Sequence, residues 1–180
     1  RFLKAAEYFK TDIIIDVEGD KIYTDVEYVD RIINELKNSD YDFITGSSSE
    51  NEFESSSSIH GFIPAGMTKS ALKKIFQLKK VNNTETGYKE FFTSNSIIKK
   101  KFIKPDIEIP KNSRFTIDYL EDYECAKKIF TALGDSFHIS DIINLIEKKP
   151  ELMNSLQHIV RQWNDDYKKN MADTSLNKLN

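Results

Sequence analysis

The sequence predicts an α/β fold in which crossover helices cover a parallel sheet, and two observations carry this prediction. The first is a run of three isoleucines within residues 12–20, which suits a strand that is buried on both faces. The second is the order of patterns along the first 45 residues, where helical spacing of apolar residues alternates with short apolar runs. This alternation of helix and strand is typical of parallel sheets with crossover connections.

The first elements follow from these patterns. A helix is expected over residues 1–10, then the strand over 12–20, and a second strand over 41–45. Between the two strands, Thr24 or Asp25 is expected to cap a helix. The apolar residues that define this helix recur at a spacing of three or four: Val26, Val29, Ile32, Ile33 and Leu36.

The predicted strand over 12–20 ends on Gly19 and Asp20. Glycine allows the backbone to turn sharply or to lie close to a ligand. Asp20 follows the carboxyl end of the strand, which is where ligands bind in open α/β sheets. A carboxylate at this place is a natural Mg²⁺ ligand when the substrate carries phosphates, although the same residue also suits a turn or a helix cap.

The middle of the chain holds a polar segment, residues 46–58, in which Phe53 is the only large apolar residue before the next apolar run. This segment is expected to be an exposed and mobile loop, either a plain surface insertion or a lid over a site. Strand character resumes over 59–67, where Pro64 favours an edge strand or a bulge. Thr68 is then expected to cap the next helix.

A second acid of interest ends the apolar run over residues 113–118, which predicts a last short strand. Asp118 is expected either to cap the following helix, with Glu121 as its capping-box partner, or to bind metal, and the two roles are compatible. Asp20 and Asp118 each follow a predicted core strand. We therefore expect them to converge at one sheet edge and to share a Mg²⁺ with a nucleoside triphosphate.

Composition narrows the classes of function. The formal net charge of −3 gives no global signal for nucleic acid or for an anionic membrane surface. No apolar run is long enough to span a bilayer, and a cytoplasmic location is expected. The single cysteine, Cys125, excludes a disulfide framework and a cysteine-based metal site. The three histidines have no zinc spacing, so none is expected to bind metal: His60, His138 and His158.

Three stretches, in order along the chain, resemble sugar-acid cytidylyltransferases. The Val-Glu-Gly-Asp element at the end of 13–20 resembles the glycine-aspartate signature of CMP-Kdo synthetases and of spore-coat polysaccharide cytidylyltransferases. Residues 114–122, Arg-Phe-Thr-Ile-Asp-Tyr-Leu-Glu-Asp, resemble the arginine-leucine-threonine-x-aspartate-x-x-glutamate-aspartate ending of the same families. Residues 137–152 are similar to the tail helices of the spore-coat group, and the likeness covers roughly residues 1–154.

This resemblance implies a Rossmann-like, glycosyltransferase-A-like nucleotide-diphospho-sugar transferase fold with additional C-terminal helices. It divides the chain into residues 1–134, the C-terminal part of a nucleotidyltransferase domain, and residues 135–180, a helical extension. The implied reaction transfers CMP from CTP to a sugar acid or similar acceptor, with release of pyrophosphate, in surface polysaccharide biosynthesis. The segment 61–66 and Glu85 fall where acceptor-side residues are expected.

The resemblance also implies roles for individual residues. Asp20 and Asp118 would be the catalytic Mg²⁺ ligands. Lys21 would contact phosphate or screen the site, and Arg114 would contact phosphate or orient Asp118. Such a site acts mainly by positioning and by electrostatic stabilisation.

Two departures from the family pattern leave other interpretations open. The family opens with a strand and a basic, glycine-containing loop that binds CTP, and these 180 residues contain no counterpart. Lys21 stands where the spore-coat enzymes have a small residue and the CMP-Kdo enzymes an acid. We therefore expect either a piece of a longer enzyme or a non-catalytic relative that acts as a binding or regulatory module. In the second case the last helix, with Trp163 and Tyr167, would form a dimer or partner surface. A related transferase that uses UTP, GTP or ATP is a third interpretation.

Overall fold

A single four-stranded sheet organises the chain in the computed structural model, which describes residues 1–54, 58–82, 87–110, 113–171 and 173–176. The strands lie in the order β1-β3-β2-β4. Their bounds are β1 Ile13–Asp16, β2 Phe43–Gly46, β3 Ala65–Thr68 and β4 Lys100–Ile103. Within the described residues the helices are α1 Phe2–Tyr8, α2 Val26–Asn38, a 3₁₀-helix Ser58–Gly61, α3 Lys69–Leu78, α4 Tyr88–Thr93, α5 Leu120–Leu133, α6 Ile139–Lys148, α7 Glu151–Asn154 and α8 Gln157–Asn170.

The sheet is mixed, so the prediction of a parallel sheet is wrong in one strand. β2 and β4 are parallel, whereas β3 runs antiparallel to both β1 and β2. The connection from β2 to β3 contains the short 3₁₀-helix but no α-helical crossover among its described residues. Antiparallel neighbours need no crossover helix, and this allows the reversal. The predicted α/β class is confirmed.

β1 is shorter and less buried than the sequence suggested. The strand ends at Asp16, and residues 17–20 form a loop, so Asp20 follows a turn instead of a strand. The three isoleucines are only half-buried because β1 lies at an edge of the described sheet. Gly19 does not adopt a left-handed conformation, and no heavy atom lies within 4 Å of a Cβ placed there. The protein itself therefore does not require glycine at this position.

The helix α2 lies directly on the sheet. Asp25 caps it by accepting a hydrogen bond from the backbone N–H of Glu27 at 2.9 Å. A Cβ on Gly66 of β3 would lie only 2.2 Å from Cγ2 of Ile32, so glycine allows this close approach. Val26, which the spacing placed inward, is 70% exposed because it occupies the first turn, outside the contact with the sheet.

Two apolar layers enclose the sheet. Phe43 and Ile44 are adjacent in β2 and fully buried, and adjacent strand residues point to opposite faces. Ile44 belongs to the larger core, which includes buried residues of α2, α5 and α6. Phe43 belongs to the smaller core, where it stacks on Phe92 of α4 at a centroid distance of 4.7 Å. Helices therefore pack on both faces, as the predicted fold class requires.

The segment 113–118 is extended but pairs with no strand, which corrects the predicted last strand. Asp118 is also not the cap of α5, because that position belongs to Tyr119. The Asp122 carboxylate accepts hydrogen bonds from the backbone N–H groups of Asp118 at 3.0 Å and Tyr119 at 3.1 Å. Asp122 thus performs the capping that the sequence assigned to Asp118 and Glu121, one residue further along the chain.

Two further expectations from the sequence concern membrane-spanning segments and the role of Cys125. Among the described helices, none is long and apolar enough to cross a bilayer. Cys125 is buried in α5, and burial raises the pKa of its thiol to about 11. A thiol of this kind is protonated and inert at neutral pH, which agrees with a packing role.

Candidate active-site cleft

A cleft of about 240 Å³ lies beyond the end of β1. The loop 17–20, α4, the segment 113–118 and α8 all contribute to its walls. The four residues that the sequence singled out line this one cleft: Asp20, Lys21, Arg114 and Asp118. The structure therefore brings together side chains that are separated by almost a hundred residues of sequence.

Backbone contacts bring the two acidic segments side by side. The N–H of Ile117 donates to the carbonyl oxygen of Asp20 at 2.9 Å. Gly61 allows the segment 113–118 to approach closely, because a Cβ there would lie 2.4 Å from the carbonyl oxygen of Phe115. These two contacts hold Asp118 near Asp20 even though neither acid ends a strand.

The acids influence each other electrostatically. Burial raises the pKa of Asp20, and the negative charges of Glu18 and Asp118 raise it further, while Lys21 acts in the opposite direction. A cation bound between Asp20 and Asp118 would relieve this repulsion. The half-buried Asp20 and the more exposed Asp118 are both oxygen ligands of the kind that Mg²⁺ prefers, so the residues present fit this metal.

Arg114 holds Asp118 in place. Its Nη2 donates to Oδ2 of Asp118 at 2.5 Å, and the hydroxyl of Thr116 donates to the same oxygen at 3.1 Å. Among the described residues, the hydrogen bonds to the Asp118 side chain all end at Oδ2, which leaves Oδ1 for a ligand. The Nε of Arg114 donates to Oδ1 of the buried Asp122 at 2.8 Å. The structure thus gives Arg114 an orienting role, and its contact with phosphate stays a prediction.

Two buried lysines face one carboxylate on the opposite wall. Lys21 contacts Oε1 of Glu18, and Nζ of Lys89 lies 3.3 Å from the same oxygen. Burial acts to raise the pKa of Glu18, but the ammonium groups of Lys89 and Lys21 together lower it. Burial also lowers the pKa of Lys89 to about 8, and the charge of Lys21 adds to this effect. The carboxylates of Glu18 and Asp16 both interact electrostatically with these two lysines, so the cations are paired inside the protein as well as lying at the cleft.

The same wall includes a hydrogen-bonded pair of polar side chains, Tyr88 and Asp16. The hydroxyl of Tyr88 donates to Oδ2 of Asp16, the last residue of β1. Burial raises the pKa of Tyr88 well above its ordinary value, and the neighbouring Asp16 carboxylate adds to the rise. Tyr88 is therefore a neutral hydrogen-bond donor that fixes the end of the strand beneath the cleft.

Two further side chains of the cleft have buried atoms without partners. His60 and Glu90 are both more than nine-tenths buried. Within the described part of the chain, Nδ1 of His60 and Oε2 of Glu90 have no hydrogen-bond partner. Burial lowers the pKa of His60 to about 3, so the ring is neutral near pH 7. Buried polar atoms of this kind normally find a partner, so these two groups cost stability in the structure as it stands.

The polar segment 46–58 reaches the cleft. Phe53 lines it and lies 5.2 Å from the ring of His60, measured between centroids. The carbonyl oxygen of Glu54 lies 2.7 Å from Nε2 of His60. These contacts place the described end of this loop against a wall of the cleft, and the choice between a lid and a plain surface insertion stays open.

Several cleft residues were not predicted to act there: Glu18, Lys89, Glu90, Trp163 and Tyr167. Glu18 lies in the quoted Val-Glu-Gly-Asp element, and this was its only sequence signal. The last two come from α8 and line the cleft, and the expected dimer or partner surface on this helix stays a prediction. Glu85, which was assigned to the acceptor side, lies outside the described residues.

A separate cluster of possible metal ligands lies away from this cleft, with ligand atoms of Asp25, Glu27 and His138 within 4.8 Å of one another. Asp25 is already engaged, since Oδ1 caps α2 and Oδ2 accepts from the N–H of Ile139 at 3.4 Å. This cluster has a structural explanation, and the cleft remains the candidate site.

The fold is α/β, and it is similar to that of a solved cytidylyltransferase. A cytidylyltransferase structure from Leptospira borgpetersenii serovar Hardjo-bovis matches with a TM-score of 0.71 at 24% identity, over 84% of this chain and 63% of that one. An uncharacterized protein of Methanocaldococcus jannaschii is 22% identical over 161 residues, which are 86% of this chain and 61% of that protein. The chain therefore spans less than two thirds of either relative. No protein-family model matches it.

Proposed function

We propose that the protein is a cytidylyltransferase that transfers CMP from CTP to a sugar acid or related acceptor and releases pyrophosphate. The observation that carries this proposal is the meeting of Asp20 and Asp118 in one cleft beyond the end of β1. The likeness in fold to a solved cytidylyltransferase supports it. A role in surface polysaccharide biosynthesis, a cytoplasmic location and a homodimer belong to the same proposal and rest on the resemblance in sequence.

In this proposal each residue has a defined task. Asp20 and Asp118 would hold a Mg²⁺, which would neutralise negative charge on the triphosphate and on the departing pyrophosphate. Arg114 and Thr116 keep the Asp118 carboxylate in position. Lys21, which lines the cleft, binds a phosphate oxygen.

The chemical step is a displacement at phosphorus. An acceptor hydroxyl oxygen forms a bond to the α-phosphorus of CTP as the bond from that phosphorus to the bridging oxygen breaks. The electron pair leaves with pyrophosphate, and the hydroxyl proton is released. No covalent bond to the protein forms, so positioning and electrostatic stabilisation account for the catalysis.

The proposal is tested by thermal unfolding of the full protein that contains these residues, with CTP and Mg²⁺ added singly and together. A ligand at about 100 times its Kd stabilises the folded state by about 2.7 kcal/mol, so a rise of several degrees in Tm is expected with both present. Asp20→Asn is expected to abolish this rise without lowering the Tm of the free protein. Asp135→Asn is the matched control, because Asp135 is exposed between α5 and α6 and does not line the cleft.

Equal stabilisation of the wild-type protein and Asp20→Asn would refute the metal assignment. Replacing CTP by UTP, GTP or ATP in the same assay tests the choice of base. A test for released pyrophosphate with sugar-acid acceptors then separates an enzyme from a binding module. The binding-module alternative is favoured by one observation, the ion pair from Arg114 that already neutralises Asp118. Stabilisation by nucleotide with no pyrophosphate release from any acceptor would support that alternative.

A further inference from the structure

Helix α8 turns one of its sides toward the cleft. The four residues of this helix that line the cleft are spaced by three, one and three positions, so they share one side of the helix: Val160, Trp163, Asn164 and Tyr167. α8 has a single buried residue, Ile159, whereas α5, which has the same length of 14 residues, has four. The packing that gives most helices their stability is therefore sparse in α8.

Two contacts fasten α8 to two different walls of the cleft. The hydroxyl of Tyr167 donates to Oε1 of Glu90 on α4 at 2.6 Å. The ring of Trp163 stacks on Tyr167 with the centroids 4.9 Å apart, and it lies 5.6 Å from the guanidinium carbon of Arg114. α8 thus bridges α4 and the segment 113–118, and its indole lies against the guanidinium group for which the resemblance implies a contact with phosphate.

The cleft is small while α8 is in this position. Its volume is about 240 Å³, whereas sites for small-molecule ligands typically measure about 300–1,000 Å³. We propose that α8 is an autoinhibitory strap, which opens by local unfolding and exposes the cleft, so that a ligand binds to the open form. The identification of this ligand as CTP rests on the proposed function.

The closed strap competes with the ligand. When only a fraction of the molecules is open, the apparent Kd equals the Kd of the open form divided by that fraction. A helix that is held by few buried apolar contacts belongs to the part of a structure that opens most readily. A substitution that weakens only the closed form therefore raises the open fraction and lowers the apparent Kd by the same factor.

Tyr167→Phe is the substitution that tests this competition, because it removes the hydrogen bond to Glu90 and keeps the ring. Amide hydrogen exchange of the full protein measures the opening. We expect the amides of α8 to exchange about a hundredfold faster than those of α5. Tyr167→Phe is expected to accelerate exchange in α8 alone by about tenfold, because one hydrogen bond to a charged group is lost. Calorimetric titration with CTP and Mg²⁺ is expected to give a Kd about tenfold lower for this variant.

A second measurement reports the opening without a nucleotide. Ser113 lines the cleft and is buried, so the thiol introduced by Ser113→Cys is expected to react with a thiol reagent when the cleft opens. Adding Tyr167→Phe is expected to make this labelling about tenfold faster. The native Cys125 is buried in α5, and the parent protein gives its background rate.

Tyr123→Phe is the matched control, since it makes the same chemical change as Tyr167→Phe at an exposed position of α5 that does not line the cleft. It is expected to change neither the exchange of α8, nor the labelling rate, nor the Kd. Far-UV circular dichroism and Tm verify that each variant is folded.

The outcomes separate the strap from the proposed function. Faster exchange and faster labelling in Tyr167→Phe support the strap even if CTP does not bind, and the proposed function then fails alone. If α8 exchanges together with α5, or if Tyr167→Phe leaves the labelling of Ser113→Cys unchanged, α8 is not a strap. If Tyr167→Phe binds CTP with an equal or higher Kd than the wild-type protein, α8 does not compete with the ligand. The proposed function would survive either of these last two results.

Discussion

The two sides of the cleft are built on different principles. On one side, Arg114 binds Asp118 and Asp122 and lies against the rings of Tyr119 and Trp163. Both carboxylate oxygens of the buried Asp122 have partners inside the protein. On the other side, Lys21 and Lys89 both contact Glu18, and within the described part of the chain His60 and Glu90 each have a buried atom without a hydrogen-bond partner.

From this difference we infer that the Arg114 side stabilises the fold and that the Lys21 side binds a ligand. Internally satisfied polar networks rigidify a structure, whereas unsatisfied buried groups cost stability and persist where a ligand can complete them. We therefore expect substitutions on the Arg114 side to lower stability and substitutions on the Lys21 side to lower affinity. The predictions below test this expectation, beginning with the largest effect.

Arg114→Met is expected to destabilise the protein by about 3–5 kcal/mol, because it leaves the carboxylate of Asp122, which is 3% exposed, without its charged partner. The free energy of unfolding in urea measures the loss. The double variant Arg114→Met, Asp122→Leu is expected to recover part of it, since two apolar side chains can replace a buried ion pair. Recovery stays incomplete because Asp122 also caps α5.

Lys127→Met is the control for removing a cation, since Lys127 lies on the exposed face of α5 near Glu124. It is expected to change the stability by less than about 1 kcal/mol. If Arg114→Met also changes the unfolding free energy by less than about 1 kcal/mol, Arg114 does not support the fold. The two sides of the cleft would then not differ in their contribution to stability.

The pH dependence of His60 gives the next effect. Burial lowers the pKa of His60 from 6.5 to about 3, so between these pH values the unfolded chain binds a proton that the folded chain does not. Stability therefore falls as the pH is lowered through this range, and His60→Gln removes that contribution. Relative to the wild-type protein, the variant is expected to gain about 2 kcal/mol of unfolding free energy between pH 7 and pH 4.5.

Urea unfolding at the two pH values measures this difference, and carboxylates that titrate in both proteins cancel from it. His158→Gln, at an exposed position on α8, is the matched control and is expected to show a smaller change. If His60→Gln responds to pH as the wild-type protein does, His60 is protonated in the fold and cannot be a neutral acceptor.

Sequence patterns placed the acids in one cleft for a reason that was only partly correct. Asp20 and Asp118 were expected to converge because each would end a parallel strand. In the structure Asp20 lies in the loop 17–20, and Asp118 follows a segment that belongs to no described strand and that Gly61 allows to approach. The order of the motifs along the chain was enough to predict that Asp20 and Asp118 lie in one cleft. The antiparallel direction of β3 was not predictable, because it depends on pairing between distant residues, which local periodicity does not encode.

The wall that α8 contributes to the cleft was not predictable from the same patterns. The spacing of apolar residues identifies α8 as a helix, but it does not say which element that helix packs against. The contact between Tyr167 and Glu90 joins residues 77 positions apart, and neither lies in a recognised motif. Burial of Lys89 likewise contradicts the usual solvent exposure of lysine, so only the folded structure reveals it.

Lys21→Met gives the smallest expected change in stability and the sharpest test of the contrast. The substitution removes the repulsion between Lys21 and Lys89 while leaving Lys89 to pair with Glu18, so the unfolding free energy is expected to change by about 1 kcal/mol or less. Affinity for CTP with Mg²⁺, measured by calorimetry, is expected to fall about tenfold, because a charge-assisted hydrogen bond to phosphate is lost.

Lys127→Met again serves as the control and is expected to leave the affinity unchanged, since Lys127 does not line the cleft. Replacing a buried cation that supports the fold lowers the unfolding free energy. Replacing a cation that binds the ligand lowers the affinity instead. If Lys21→Met lowers stability as strongly as Arg114→Met and leaves nucleotide affinity intact, both walls are structural. If it lowers affinity alone, Lys21 acts on the ligand and not on the fold.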